Sequence, residues 1–346
     1  SITMDMTKSQ FDGMTDQVQQ MAIQLGTSSE AVMDVVKTYA NAQSNIDEVM
    51  QKTQPSIILS NLSGMDTSSV TKAVNSTLNA FDMLKGGEND VIEQTTRVSD
   101  VIVSVSRNMQ YDFNDGIVEL IEGVKTAGNV AESAGISFES YIARIGTLVE
   151  TTGKSGSELA NAYKMIIART FQMKSLGEEL GIASNEMGNA GKALEKLDIN
   201  IKNSDGSLKS MDEVLQLVAN QWDGLTEADQ QFVAEMMAGN RHRSTFNAIM
   251  DSMSNYSDKL NVALESNGTS MEAQNKYIDS FEGKLGSLKA NMEALYSSML
   301  NSDFLKGFVD ALNNGVTGIT NFTKKFGTIT TVLTLSLIHI SEPTRP

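Results

Sequence analysis

The chain has 346 residues, 40% hydrophobic but only 6% aromatic, and its 43 acidic against 27 basic side chains give a formal net charge of −16. A surface of that sign repels phosphate backbones and argues against specific nucleic-acid binding. The absence of cysteine excludes disulfides, thiolate zinc sites and cysteine nucleophiles.

Of the three prolines, Pro343 and Pro346 lie in the last four residues, so Pro55 is the single proline before them. Near absence of proline favours long helices joined by Gly, Ser and Asn turns. The expected fold class is all-α, an elongated multi-helix bundle, and the length allows two or three domains. The chain opens at Ser1 with neither an initiator methionine nor a signal-peptide pattern, which reads as a processed chain or a fragment.

Apolar spacing predicts helices over about 66–84, 89–109, 117–134 and 137–150. "SGSE" sets Ser155 three residues before Glu158, a capping-box pattern, and Leu159, Tyr163, Ile166, Ile167 and Thr170 follow on one face. The Gly153-Lys154-Ser155 triplet before it is not a phosphate loop, because Leu148 stands where the first glycine of that loop is needed. It reads as an inter-helix turn.

"LDINIKNSDGSLKS" breaks the helical pattern. Leu197, Ile199 and Ile201 alternate with polar residues before Asp205-Gly206, which predicts one short β-hairpin near 198–209. The same segment lacks the glycine and glutamate of a calcium loop. A second capping box, Ser210 to Glu213, opens a helix carrying Met211, Val214, Leu215 and Val218. Trp222 reads as core, and so do most of the twenty methionines. His242 has no acid or nucleophile beside it that would make a triad, so a surface or helix-end role is expected.

After about residue 250 the pattern changes. Ile278, Phe281, Leu285, Leu288, Met292, Leu295 and Met299 are spaced alternately by three and four, an a/d seam three heptads long. Two readings fit: a long helix lying on a neighbour in the same chain, or a self-association seam. The resulting division is 1–64, 65–250, a heptad-bearing rod over 251–325, and an apolar start over 326–334. Residues 335–346 are set apart, because "LSLIHISEPTR" (335–345) resembles translated sequencing adapter. On that reading His339 is no ligand, and the apolar run from Phe326 ends at Thr334, too short for the roughly 20 residues of a membrane span. No catalytic, cofactor or metal signature is found.

Three segments in order carry a resemblance: 65–81, ending "LNAF"; 98–170, through "AESAGISFE" and "GKSGSEL"; and 197–250, through "SDGS", "LTEADQ" and "GNR". Their markers are Leu78–Phe81, Ala131–Glu139, Gly153, Gly156, Leu159, Asp205, Gly206, Leu225, Thr226, Gln230, Gly239 and Arg241. In this order they resemble the core region of tail tape measure proteins of long-tailed phages and prophages; the resemblance implies an internal fragment, with residues 1–64 as the preceding helices of the same region and its start missing. The resemblance implies a structural, non-enzymatic role: a helical chain in the lumen of the virion tail tube, present in the host cytoplasm during assembly, whose length sets tail length and which leaves with the DNA. It implies tail tube protein, assembly chaperones, baseplate or tail-tip proteins and further copies of the chain as partners, and no cofactor. Two alternatives stay open: a membrane-active segment that assists DNA entry, and a cell-wall hydrolase with its catalytic domain outside this piece.

Overall fold

A computed structural model describes residues 8–40, 45–84, 88–186 and 188–300. The first helices are α1 (Lys8–Leu25), α2 (Ser29–Tyr39), α3 (Ile46–Ser63) and α4 (Thr67–Ala80). The middle of the chain forms α5 (Glu88–Arg107), α6 (Phe113–Ser133), α7 (Phe138–Thr152) and α8 (Gly156–Thr170), then the short α9 (Lys174–Glu179) and α10 (Asn189–Lys196). There follow α11 (Met211–Trp222), α12 (Glu227–Ala238), a 3₁₀ turn (Asn240–His242), α13 (Arg243–Asp251), α14 (Met253–Leu264), α15 (Thr269–Asp279) and α16 (Phe281–Leu300). The four helices expected over 66–150 are α4 to α7. The described residues up to Ser287 belong to one compact unit and those from Leu288 onward to a second.

Local chemistry explains the helix starts. Ser28, Asn45, Asp66, Asp112, Ser137, Ser155, Ser210 and Thr226 each accept a backbone N–H of the first turn that follows. The box at Ser210 and Glu213 is reciprocal. At Ser155 the side chain caps Glu158 N–H, while the Glu158 carboxylate lies 2.7 Å from Lys154 Nζ. Gly153 ends α7 in a left-handed conformation, so the Gly-Lys-Ser triplet is the inter-helix turn that the sequence suggests. Pro55 sits inside α3 and is buried, which sequence rules disfavour.

The centre of the unit is α7, buried nearly all round from Phe138 to Val149 and packed by α5, α6, α8, α13 and α14. Its Tyr141 ring packs on Phe81 at 5.9 Å and Tyr163 at 6.3 Å, and its hydroxyl donates to Gly123 O at 2.6 Å. The one-sided faces of α8 and α11 are buried as expected: Leu159, Tyr163, Ile166 and Ile167 on one, Met211, Val214, Leu215 and Val218 on the other. Trp222 is core, edge-on to Phe246 at 5.9 Å, with Nε1–H directed at Asp251 Oδ1 at 3.3 Å.

The β-hairpin expected near 198–209 is not formed; no strand occurs among the described residues. One antiparallel bridge joins Lys202 and Leu208 around the Asp205-Gly206 turn. The cause is where the apolar side chains go. Leu197 and Ile199 are buried as the C-terminal end of α10, with Ile199 N–H on Leu194 O at 2.8 Å, whereas Leu208 is exposed. A two-stranded ribbon with no apolar face of its own to bury is not stable in water.

Candidate interaction surface

The expected seam does not lie on one helix. Ser280 has extended dihedrals and ends α15, so Ile278 belongs to α15 and the other six residues to α16. Ser280 also opens α16: its Oγ accepts Gly283 N–H at 3.1 Å and its carbonyl accepts Lys284 N–H at 3.0 Å. Spacing alone missed this because a three-four count runs through the break unchanged. The cap signal, Ser280 before a first turn containing Glu282, was present in the sequence.

In the compact unit the first turns of α16 are held by glycines. A Cβ on Gly286 would fall inside contact distance of Gly26 O, and one on Gly283 would do so against Tyr277 O. The loop between α1 and α2 therefore meets α16 backbone to backbone. Gly283 and Gly286 face inward, while Phe281 is 73% exposed and Leu285 is also exposed. Leu288, Met292 and Leu295, which begin the second unit, are exposed as well. Ile278 is half-buried, and the Met299 side chain lies outside the described residues. The segments expected over 301–346, including the apolar start at 326–334 and the adapter-like tail, also lie outside them.

Buried polar contacts fix α14 and α15, and so the approach to this surface. Asp100 on α5 accepts Gly268 N–H at 2.8 Å, Ser270 N–H at 2.9 Å and Ser270 Oγ–H at 2.5 Å. Gly268 cannot cap α15 itself, so a carboxylate 168 residues away does so. Gln274 on α15 and Asn61 on α3 both donate to Leu25 O at 2.8 Å, capping the end of α1. Arg144 is buried with Nη2 3.3 Å from Asp212 and its guanidinium carbon 3.4 Å from the centre of the Tyr256 ring. Ser140 Oγ bonds Tyr256 OH at 2.7 Å and also Asp212. These partners sit on α7, α11 and α14, and no local motif announces them.

Glu150 at the end of α7 takes Lys259 Nζ at 2.7 Å, Asn255 Nδ2 at 2.9 Å and Gln110 N–H at 3.0 Å. Burial by itself raises the Glu150 carboxyl, but these hydrogen bonds outweigh it and hold the group below its ordinary 4.5. A depressed carboxyl contributes stability above its unfolded value and loses it as pH falls through the folded value. The expected result is a drop in the urea midpoint beginning near pH 4.5 that is shallower in Glu150→Gln. Equal slopes in the two proteins would contradict it.

His242 stands at the end of the 3₁₀ turn and is half-buried, as a helix-end residue. Burial first, then the Arg241 and Lys154 charges, hold its imidazole below the usual range. Gly239, at φ +74 and ψ 164, lies against the guanidinium of Arg169, whose Nη2 is 2.5 Å from Glu186. Among the described residues no cluster could hold a metal ion, and no helix is long and apolar enough to cross a membrane.

The family model described as "Phage-related minor tail protein" matches residues 15–239. A tape measure protein of Pneumococcus phage Dp-1 is 22% identical over 282 residues, which cover 79% of this chain and 22% of that protein. The chain thus corresponds to less than a quarter of that relative's length. No solved structure matches. The matched span runs from α1 to the end of α12 and holds the α5–α8 core with its caps, and on that match the chain belongs to the phage-related minor tail protein family.

Proposed function

We propose that this chain is part of a tail tape measure protein, a structural component that sets tail length and organises tube assembly. The observation that carries the reading is the alignment of 79% of the chain with a protein named as a tape measure. Membership of the minor tail family supports a structural role in the phage tail rather than catalysis. On this reading the partners are tail tube protein, assembly chaperones, tail-tip proteins and further copies of the chain, and the site of action is the tube lumen. Residues 65–250 supply the helical core, and the stretch beyond 250 leads into the rod.

The exposed stripe of α16 is assigned to self-association. Large exposed apolar side chains repeated at helical spacing favour a partner helix. The function is tested in the parent phage by inserting two further copies of residues 281–300 after Leu300. At 1.5 Å per helical residue, about 40 added residues lengthen the ruler by about 60 Å. Tails measured by electron microscopy are expected to lengthen by that amount. Intact tails of unchanged length would rule out a ruler role for this segment.

A further inference from the structure

A cavity of about 350 Å³ opens beside the start of α16, lined by Leu62, Arg107, Phe113, Asn114, Ala273, Lys276 and Tyr277. Its character is mixed. Leu62 and Ala273 form a buried apolar floor, Phe113 and Tyr277 supply aromatic walls, and Arg107 and Lys276 bring two cations to the rim. Those cations share one carboxylate, Glu272, at 3.4 and 2.8 Å, so the rim keeps a positive balance on a chain of net charge −16. A cavity of about 150 Å³ accepts a benzene ring, so this one has room for an aromatic side chain. Its chemistry suits an aromatic residue followed by an acid.

Phe281-Glu282 is such a pair, four residues from Tyr277 in the sequence. Phe281 is 73% exposed, so it does not fill the cavity of its own chain. Gly283 and Gly286 are pressed against backbone, which commits the first turns of α16 to this orientation. Tyr277 lines the cavity and its carbonyl oxygen meets Gly283, so the exposed ring leaves the chain two residues from a point of contact with the cavity wall. Donor and acceptor that close together on one chain are what an isologous contact needs, where each copy gives what the other receives.

We propose that two copies of the chain associate by exchanging Phe281, each ring seated between Phe113 and Tyr277 of the other copy, with the second copy's Glu282 beside Arg107 and Lys276. This rests on the self-association reading of α16 and names its anchor. A buried aromatic anchor facing cations has the make-up of an interface hot spot.

Sedimentation velocity of the 346-residue chain over a wide concentration series tests it. The wild type is expected to dimerise. Phe281→Ser removes the anchor, and Asn114→Trp fills the cavity from an exposed position. Each is expected to weaken association by about tenfold or more. Lys276→Glu, at a side chain 72% exposed, is expected to weaken it also and serves should the tryptophan variant fail to fold. Leu285→Asp with Leu288→Asp probes the stripe apart from the cavity. Association that survives Asn114→Trp and Lys276→Glu overturns the exchange, and if the double aspartate abolishes it the stripe reading still stands. Weakening by the cavity variants with none from the double aspartate supports the exchange and removes the stripe beyond Phe281. A monomer at every concentration overturns both.

Discussion

Gly156→Ala is expected to destabilise the compact unit by about 3 kcal/mol, the upper range for forcing extra atoms into a close-packed contact. Gly156 opens α8, and a Cβ there would fall inside contact distance of the Glu119 carbonyl oxygen on α6. The same backbone is held by a hydrogen bond from Gly156 N–H to Glu119 Oε2 at 2.6 Å. No side-chain rotation relieves a clash with a main-chain oxygen in the middle of a helix. Either α8 moves off α6, opening the contact that covers α7, or the first turn of α8 unwinds and Ser155 loses its cap. Urea unfolding followed by circular dichroism measures the loss. Gly13→Ala is the matched control, because nothing lies within 4 Å of a Cβ there and the residue is in an exposed part of α1. That change should add about 0.5–1 kcal/mol from helix propensity. A Gly156→Ala protein as stable as the control would show that α6 and α8 are not locked by this approach.

Gly156 also shows why the motif order in the sequence was informative without being explicable there. Several of the marker positions turn out to close a contact between helices or cap one. Glu139 pairs with Arg97 Nε at 2.5 Å, Thr226 caps α12, Gln230 Nε2 holds Trp222 O at 2.8 Å, and Gly239 covers Arg169. Helix existence was legible because caps and apolar faces are local, and α4 through α8 follow from them directly. The alternation at 197–201 suggests a hairpin that does not form, because three alternating apolar residues look alike whether they start a strand or follow the end of a helix. The heptad spacing runs on as if one helix carried it because spacing is blind to a single extended residue, Ser280, between the first two members of the seam. The buried polar contacts were invisible for a different reason: their partners lie on different helices, some of them more than a hundred residues apart, as with Ser140 and Tyr256 or Asn255 and Glu150. The cavity beside α16 was equally illegible, since Leu62, Arg107 and Tyr277 meet only once α3, α5 and α15 have packed.

Asp100→Ala is expected to cost about 3–5 kcal/mol, since it leaves two backbone N–H groups and a hydroxyl without their acceptor inside the protein, at about 1–3 kcal/mol for each unsatisfied group. Asp100 is 1% exposed, and water cannot take its place at Gly268 and Ser270 without opening the helix end. The loss also reaches beyond the cap. Asp100 sets where α15 begins, α15 carries Gln274 to the end of α1, and it carries Lys276 and Tyr277 to the cavity. Asp100→Asn separates charge from shape: its remaining carbonyl oxygen can still serve Ser270, while its amide faces the Gly268 N–H as a second donor. It should fall between the wild type and the alanine variant. Hydrogen exchange distinguishes local from global damage. In Asp100→Ala the amides of α15 should lose protection well before those of α7, because α7 makes none of the bonds that are removed. Equal loss in the two helices would mean that Asp100 supports the whole unit and not the docking of α15. With α15 loosened, the association proposed above through Phe281 should weaken in step, even though Asp100 itself lies on no surface.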